Sequence, residues 1–305
     1  MRSSRREVLQ WVAALAGAPL LSAEIRFPTE PRDRLALTSY PFRAYIASPS
    51  NRARNPALPG MDLKQFAKLA IDKFGIHNIN PLLDHFTSTD PAYLDSFRKA
   101  VADAGSHIVD LGLSGGAFYS SEEKERERAV SISRRCIDVA SIIGSPSVRQ
   151  HVHGKRGEKP NVDLAAQSLG QLAEYGMKHG VVINLENDSA ISEDPFFLTA
   201  VIDKVNSPHL RALPDFGNTL IAHDADYNQR GVTAMLKRAY NMCHVKDVVK
   251  SSAGQDKTVD LKKMFALAKE SSYRGYFSME CDSGLGDPFA GTTRLVKETL
   301  GYLAE

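Results

Sequence analysis

"VVINLENDSAISEDPFFLTAVIDKVNSPHLRALPDF", residues 181–216, holds one full turn of a repeating pattern. An apolar run, VVINLEN (181–187), ends in polar residues. A loop follows, then a helical stretch opening at Asp194-Pro195, then a second apolar run, LRALPDF (210–216). Asp before Pro is a helix-start signal, because Pro has no N–H to leave unsatisfied at the first helical position. Two short apolar runs joined through a helix predict parallel strands linked by a crossover.

The same turn recurs on both sides. Apolar runs stand at RLALTSY (34–40), IHNINPL (76–82), HIVDLGL (107–113), PSVRQHV (146–152), NMCHVKD (241–247) and GYFSMEC (275–281), making eight with the two above. Helical stretches separate them. In MDLKQFAKLAIDKFG, Leu63, Phe66, Ala70 and Phe74 recur at the spacing of an amphipathic face, and Gly75 is the stop. DPAYLDSFRKAVADAG opens on Asp90 as a cap with Pro91 behind it and ends at Gly105. Two longer helices close at Gly144 and Gly180, and GDPFAGTTRLVKETLGYL repeats the Asp-Pro start. Eight such units over roughly 270 residues match a (β/α)8 TIM barrel, an α/β fold. The rival doubly wound sheet needs a glycine-rich phosphate loop after its first strand, and none follows LALTSY. The longest connections, 44–60, 114–121, 151–161 and 248–258, all follow strands, where a barrel builds its site.

Residues 3–23, SSRREVLQWVAALAGAPLLSA, have another character: Arg5 and Arg6, then an uncharged, mostly apolar stretch from Trp11, then the small residues Ser22 and Ala23. This is a secretory layout of twin-arginine type, too short for a comfortable membrane span. It predicts a signal over 1–25, export to the periplasm or another extracytoplasmic space, and one barrel domain over 26–305. No stable membrane insertion is expected after cleavage.

The 305 residues are 43% hydrophobic and 24% charged, with a formal net charge of +2. So small an excess makes no field for nucleic acid, and no nucleic-acid partner is expected. Cys136, Cys243 and Cys281 are too scattered for a disulfide framework or zinc knuckle and read as small buried apolar residues.

The strand ends carry the chemistry. Runs five to eight end in Glu186, Asp215, His244 and Glu280, spaced 29, 29 and 36 residues apart, each about one strand–helix unit. Equivalent positions on consecutive barrel strands surround one mouth. Three carboxylates and an imidazole make a hard, oxygen-rich site for one divalent metal ion, Mn²⁺ first, with Mg²⁺, Co²⁺ or Zn²⁺ as alternatives.

With NLEN, DFGN, HVKD and MECD in that order, the chain resembles the xylose-isomerase-like barrels. These include sugar isomerases and epimerases, hydroxypyruvate isomerases and ketose 3-epimerases. The resemblance implies a metal that polarises a carbonyl and a neighbouring hydroxyl of a small sugar and holds the enediolate. It implies further that Glu186 and Glu280 are both ligands and the acid–base pair, and that Asp215 and His244 are ligands only.

Further substrate contacts are expected from Lys246, two residues beyond His244 on the same strand face, and from His151 and His153 at the end of run four. Asn218 and a pocket wall of Tyr40, Phe42 and Arg43 complete the set, with His85 a weaker candidate. Asp247 is expected to orient Lys246 or cap the next loop. The chain departs from the family pattern at Asn218, where many ketose epimerases have His, and at Asn80-Pro81, where relatives often have a carboxylate. The loop after HVKD also lacks the usual arginine and glycine pattern.

The expected function is therefore a metal-dependent isomerase or epimerase of a small sugar or hydroxy-carbonyl compound. The alternatives are a lyase cleaving 3-keto glycosides by β-elimination at the same site, and a non-catalytic sugar-binding barrel. A homo-oligomer is compatible with either. Apurinic-site nucleases share the barrel but need a three-metal cluster with more histidines than this chain supplies.

Overall fold

The computed structural model of the chain describes residues 26–282 and 286–305. The signal expected over 1–25 lies outside the described residues. Eight strand–helix units follow one another. β1 (Leu35–Thr38) leads to α1 (Phe66–Phe74), and β2 (Asn78–Asn80) to α2 (Pro91–Asp103). The third strand is in two pieces, β3 (His107–Ile108) and β4 (Leu111–Gly112), ahead of α3 (Glu123–Ile143). Then come β5 (Ser147–Gln150) with α4 (Val162–His179), β6 (Val182–Glu186) with α5 (Pro195–Val205), and β7 (Leu210–Leu213) with α6 (Ala225–Leu236). After β8 (Met242–Val245) a hairpin, β9 (Val248–Lys250) and β10 (Asp256–Thr258), precedes α7 (Leu261–Glu270). β11 (Tyr276–Met279) and α8 (Pro288–Ala304) end the series.

The strands pair in parallel as β3-β2-β1-β11-β8 and β4-β5-β6-β7. Two seams join these sheets into a closed barrel. At one, Val109 and Asp110 interrupt the third strand, and the Gly112 N–H donates to Pro81 O across the gap (2.9 Å). The single run read from sequence is broken because Asp110 turns into the barrel, where Ser147 Oγ and Asn184 Nδ2 donate to its Oδ1. At the other seam Pro214 has no N–H, so the β7–β8 ladder is incomplete. His244 N–H still donates to Pro214 O (2.9 Å) and His244 O accepts from Phe216 N–H (3.1 Å). That isolated bridge sets Asp215 beside His244.

The helices begin as the Asp-Pro signals predict. Asp194 accepts the N–H groups of Phe196 and Phe197, and Asp287 those of Phe289 and Ala290. Asp90 stands at the cap of α2, but its side chain makes no capping bond to the helix; its Oδ2 accepts from Ser88 Oγ instead. Gly144 closes α3 at φ 78°, a conformation costly for residues with a Cβ. Phe289 of α8 packs on Phe42 (5.1 Å) and Phe74 (6.3 Å), docking the last helix on the first unit.

The barrel interior is layered. Ala36, Val109, Leu213 and Met242 form a small apolar plug. Along the strands, Ser147 and Asn184 come next, bonded to Asp110 and Asn241. One side-chain repeat further on, β5 and β6 present Arg149 and Glu186. Cys243 and Cys281 are buried, as expected, and Cys136 is half-buried. Among the described residues no helix is long and apolar enough to cross a membrane.

Candidate metal centre

Glu186, Asp215, His244 and Glu280 converge. Their ligand atoms lie within 4.8 Å of one another, and all four residues are buried. His244 Nδ1 is 2.5 Å from Glu186 Oε1, 2.6 Å from Glu280 Oε2 and 4.0 Å from Asp215 Oδ2. Oxygen ligands sit about 2.0–2.6 Å from Mg²⁺ or Ca²⁺, so a set this narrow fits around one ion. Glu186 and Glu280 must share the single N–H at His244 Nδ1. Asp215 Oδ2 and Glu280 Oε2 are buried without a well-directed hydrogen bond of their own, although Lys246 Nζ (3.2 Å) and the shared His244 Nδ1 stand near them. Asp215 is fixed through its other oxygen, which accepts the N–H groups of Gly217 (2.8 Å) and Asn218 (2.7 Å). The Asn187 side chain braces the Asp215 backbone through both its N–H and its carbonyl. Convergent buried oxygens, two of them without a well-directed hydrogen bond, fit a hard divalent cation.

Electrostatics agree. Burial would lower His244, but Glu280 and Glu186 outweigh it and push the imidazole up to about 10. Burial would raise Glu280, yet His244 and Lys246 hold it down to about 2. Glu186 lies well below the usual carboxylate range, with His244 and Arg149 overcoming its desolvation. At Asp215 desolvation wins over Lys246, and its carboxyl rises to about 6. The centre therefore demands positive charge, and a divalent ion would supply it.

A cavity of about 290 Å³ lies over the quartet. Glu186 and Glu280 line it; Asp215 and His244 are absent from its wall and sit beneath. Lys246 reaches the cavity, with Nζ donating to Asn218 Oδ1 (2.6 Å) and lying 3.2 Å from Asp215 Oδ2. Asn218, Tyr40 and His151 also line it. His153 does not: it stacks on His151 (6.0 Å) and bonds Ser192 Oγ (3.0 Å). Arg43 lies over the Tyr40 ring (3.9 Å) and lines a neighbouring cleft with His85. Phe42 is no pocket wall; it is fully buried against Phe66 and Phe289. Among the described residues, the Asp247 side chain bonds neither Lys246 nor the loop backbone. Its side chain faces α8 and pairs with Arg294 (2.5 Å).

Arg149 and Glu193 are the important residues that sequence reasoning passed over. Arg149 Nη1 donates to Glu186 Oε2 (2.7 Å) and touches His151 Nε2 (2.6 Å). Gly112 makes room for it: a Cβ there would stand 2.8 Å from Arg149 Nη2 and 2.4 Å from Leu82 Cδ2. The signal was an arginine inside an apolar run, which needs a buried acid nearby. Glu193 is also buried and accepts from Val152 N–H (2.7 Å) and His151 Nδ1 (2.9 Å). With Asp188 and His151 it forms a second convergent group. Its oxygens are already used in holding two loops together. Nothing in the sequence separates it from an ordinary solvated acid ahead of a helix.

Residues 63–305 match the family model described as xylose isomerase-like TIM barrel. The chain belongs to that family. Among solved structures it is similar to a xylose isomerase-like TIM barrel protein from Mycobacterium smegmatis in complex with magnesium. The identity is 17% and the TM-score 0.65, over 91% of this chain and 98% of that one. It is similar to an L-ribulose 3-epimerase at 17% identity and TM-score 0.65, over 89% and 93% of the two chains. It also resembles a 3-keto-D-glucoside 4-epimerase from E. coli, at 12% identity and TM-score 0.61, over 89% and 98%. At such identities the likeness carries the xylose isomerase-like fold and nothing finer. No curated protein matches the chain by sequence.

Proposed function

We propose that the chain is a divalent-metal-dependent isomerase or epimerase of a small sugar or hydroxy-carbonyl compound, acting by removal of a proton beside a carbonyl. The carrying observation is the division within the quartet: two carboxylates face the cavity, while an aspartate and a histidine lie below it. In this reading the upper pair faces the substrate and its protons, and the lower pair only holds the ion. A divalent cation bound there supplies Lewis-acid polarisation of a carbonyl and its neighbouring hydroxyl.

In this reading Glu280 takes the proton. Glu186 has its second oxygen clamped by Arg149, whereas among the described residues Glu280 Oε1 is paired with the more distant Lys246 ammonium at 3.6 Å. As the proton passes to Glu280, the C–H electron pair moves toward the carbonyl carbon and charge gathers on the carbonyl oxygen. Burial opposes the charge on Lys246, but Asp215 and Glu280 keep it a cation. It therefore serves as a hydrogen-bond donor to substrate oxygens and not as a base. Returning the proton to the neighbouring carbon gives an isomer, and delivering one to the opposite face gives an epimer. The epimerases among the similar folds support this class of substrate. Expulsion of a group from the next carbon would make the same step a β-elimination.

The test is deuterium uptake from D₂O beside the carbonyl of a keto-sugar, followed by NMR on mature Mn²⁺-loaded protein. Uptake abolished by a chelator and restored by Mn²⁺ supports the reading. Uptake indifferent to chelator removes the ion from the chemistry, and specific binding without uptake leaves a sugar-binding barrel. The proposal extends to location: residues 1–25 direct twin-arginine export. Cell fractionation of the full chain against its Arg5→Lys variant checks this, with the variant retained in the cytoplasm.

A further inference from the structure

The metal cavity does not end at its own wall. A larger cleft of about 720 Å³ adjoins it, and Tyr40, Leu82, Asp84 and Ser114 line both. Small-molecule sites run roughly 300–1,000 Å³. The inner cavity lies at the floor of that range and suits one sugar ring. The outer cleft has room for a second group.

The outer wall is built, not slack. It comes from the connection 44–60, longer than most in compact domains. Asn51 is buried there, and its Nδ2 donates to Arg43 O and Ile46 O (2.7 Å each). Arg54 donates to Ala44 O (2.9 Å) and Leu58 O (2.7 Å). Ser48 Oγ reaches the carbonyls of Asp84 (2.7 Å) and Phe86 (2.8 Å), tying the loop to the segment after β2. Side chains spent on the loop's own carbonyls fix the cleft before any ligand arrives, which lowers the ordering cost of binding.

The lining is that of a polyol site. Arg43 and Arg52 offer donors, and Asp84 and Ser50 offer acceptors, with apolar surface interspersed against which a ring face can lie. Asp84 stands where the two spaces meet, and its carboxylate disfavours a phosphate or carboxylate at that point.

We propose that this cleft is a second substrate subsite, filled by the glycosidically attached sugar of a keto-sugar glycoside whose keto ring occupies the metal cavity. The substrate is then a neutral glycoside and not a free ketose. The assignment rests on the proton-transfer reading of the inner site.

The experiment compares 3-keto-trehalose with 3-keto-glucose on the Mn²⁺-loaded chain, in deuterium uptake and in calorimetric binding. The two probes differ by the second ring. The expected result is a kcat/KM ratio of at least about tenfold in favour of the glycoside, the effect of one or two added hydrogen bonds. Ala53→Trp, which fills the cleft from an exposed loop position, brings the ratio toward one, and Arg52→Ala lowers it less. A ratio near one in the natural chain, or one unmoved by Ala53→Trp, overturns the subsite. If neither sugar takes up deuterium, the proton-transfer reading fails separately and binding decides the subsite. Glycoside binding about tenfold tighter than that of the single ring, lost in Ala53→Trp, supports it; equal binding overturns it.

Discussion

His244 and His85 are equally hidden from water, at 1% and 2% exposure, yet their surroundings drive them opposite ways. In the metal centre Glu280 and Glu186 outweigh desolvation and push His244 up to about 10. At the outer cleft burial, helped by Arg43, holds His85 down to about 4. Among the described residues His85 has a neutral partner, Ser39 Oγ at 2.8 Å, and no carboxylate partner. Burial alone therefore expels charge, and only convergent acids reverse it. The first region is built to hold a cation. The second keeps its buried imidazole neutral beside Arg43, a hydrogen-bonding wall of the kind that suits sugar hydroxyls.

The strongest way to break this contrast is to remove a carboxylate from the charged region. Glu280→Gln keeps shape and removes the proton acceptor. Deuterium exchange should fall by about 10²–10⁴-fold, the usual worth of a positioned acid or base. Glu186→Gln should instead weaken Mn²⁺ binding, with exchange recovering in excess metal, because Arg149 already engages the outer oxygen of Glu186. Equal, unrecoverable losses in both variants would erase the distinction between the two carboxylates.

The next largest effect concerns stability. Arg149 and Glu186 form an ion pair with side chains 10% and 1% exposed. Arg149→Met leaves a buried carboxylate short of its cation, and breaking such a pair costs about 3–5 kcal/mol. Urea denaturation at pH 7 measures this. Added Mn²⁺ should return part of the loss by binding the folded state alone. A smaller effect is expected at the cavity wall. Lys246→Met removes one charged donor, about 1.5–3 kcal/mol, seen as a tenfold to hundredfold fall in kcat/KM.

The same contrast explains what the sequence disclosed. The charged region hangs on strand ends that recur once per strand–helix unit, so Glu186, Asp215, His244 and Glu280 could be found by counting. Lys246 followed from the two-residue strand period. The side-chain directions of loops have no such period. Phe42 and Asp247 therefore turned away from the site, into the core and toward α8. The β9–β10 hairpin was hidden for a related reason: VVKSSAGQDKT alternates little and one of its strands is mostly exposed. Asp110 broke its strand because a buried acid pairs with Ser147 and Asn184 from other units, and pairing across the barrel cannot be read from a local run. Arg149 was visible as a charge inside an apolar run, but its partner was not.

The mildest test is the pH dependence of the neutral region. His85 titrates near 6.5 when unfolded and near 4 when folded. Between those values the unfolded chain binds the extra proton, so stability falls as pH falls. The contribution is present above about pH 6.5, is down by about 1 kcal/mol at pH 5.5, and is lost through pH 4. His85→Gln keeps a polar partner for Ser39 and removes the titration. Urea denaturation of both chains at pH 7 and pH 5.5 should show the natural chain losing about 1 kcal/mol more than the variant over that interval. Parallel losses would mean that His85 is charged in the folded chain. His85 would then add a further cation beside Arg43, where this reading needs a neutral imidazole, and the division between the two histidines would fail at its quieter end.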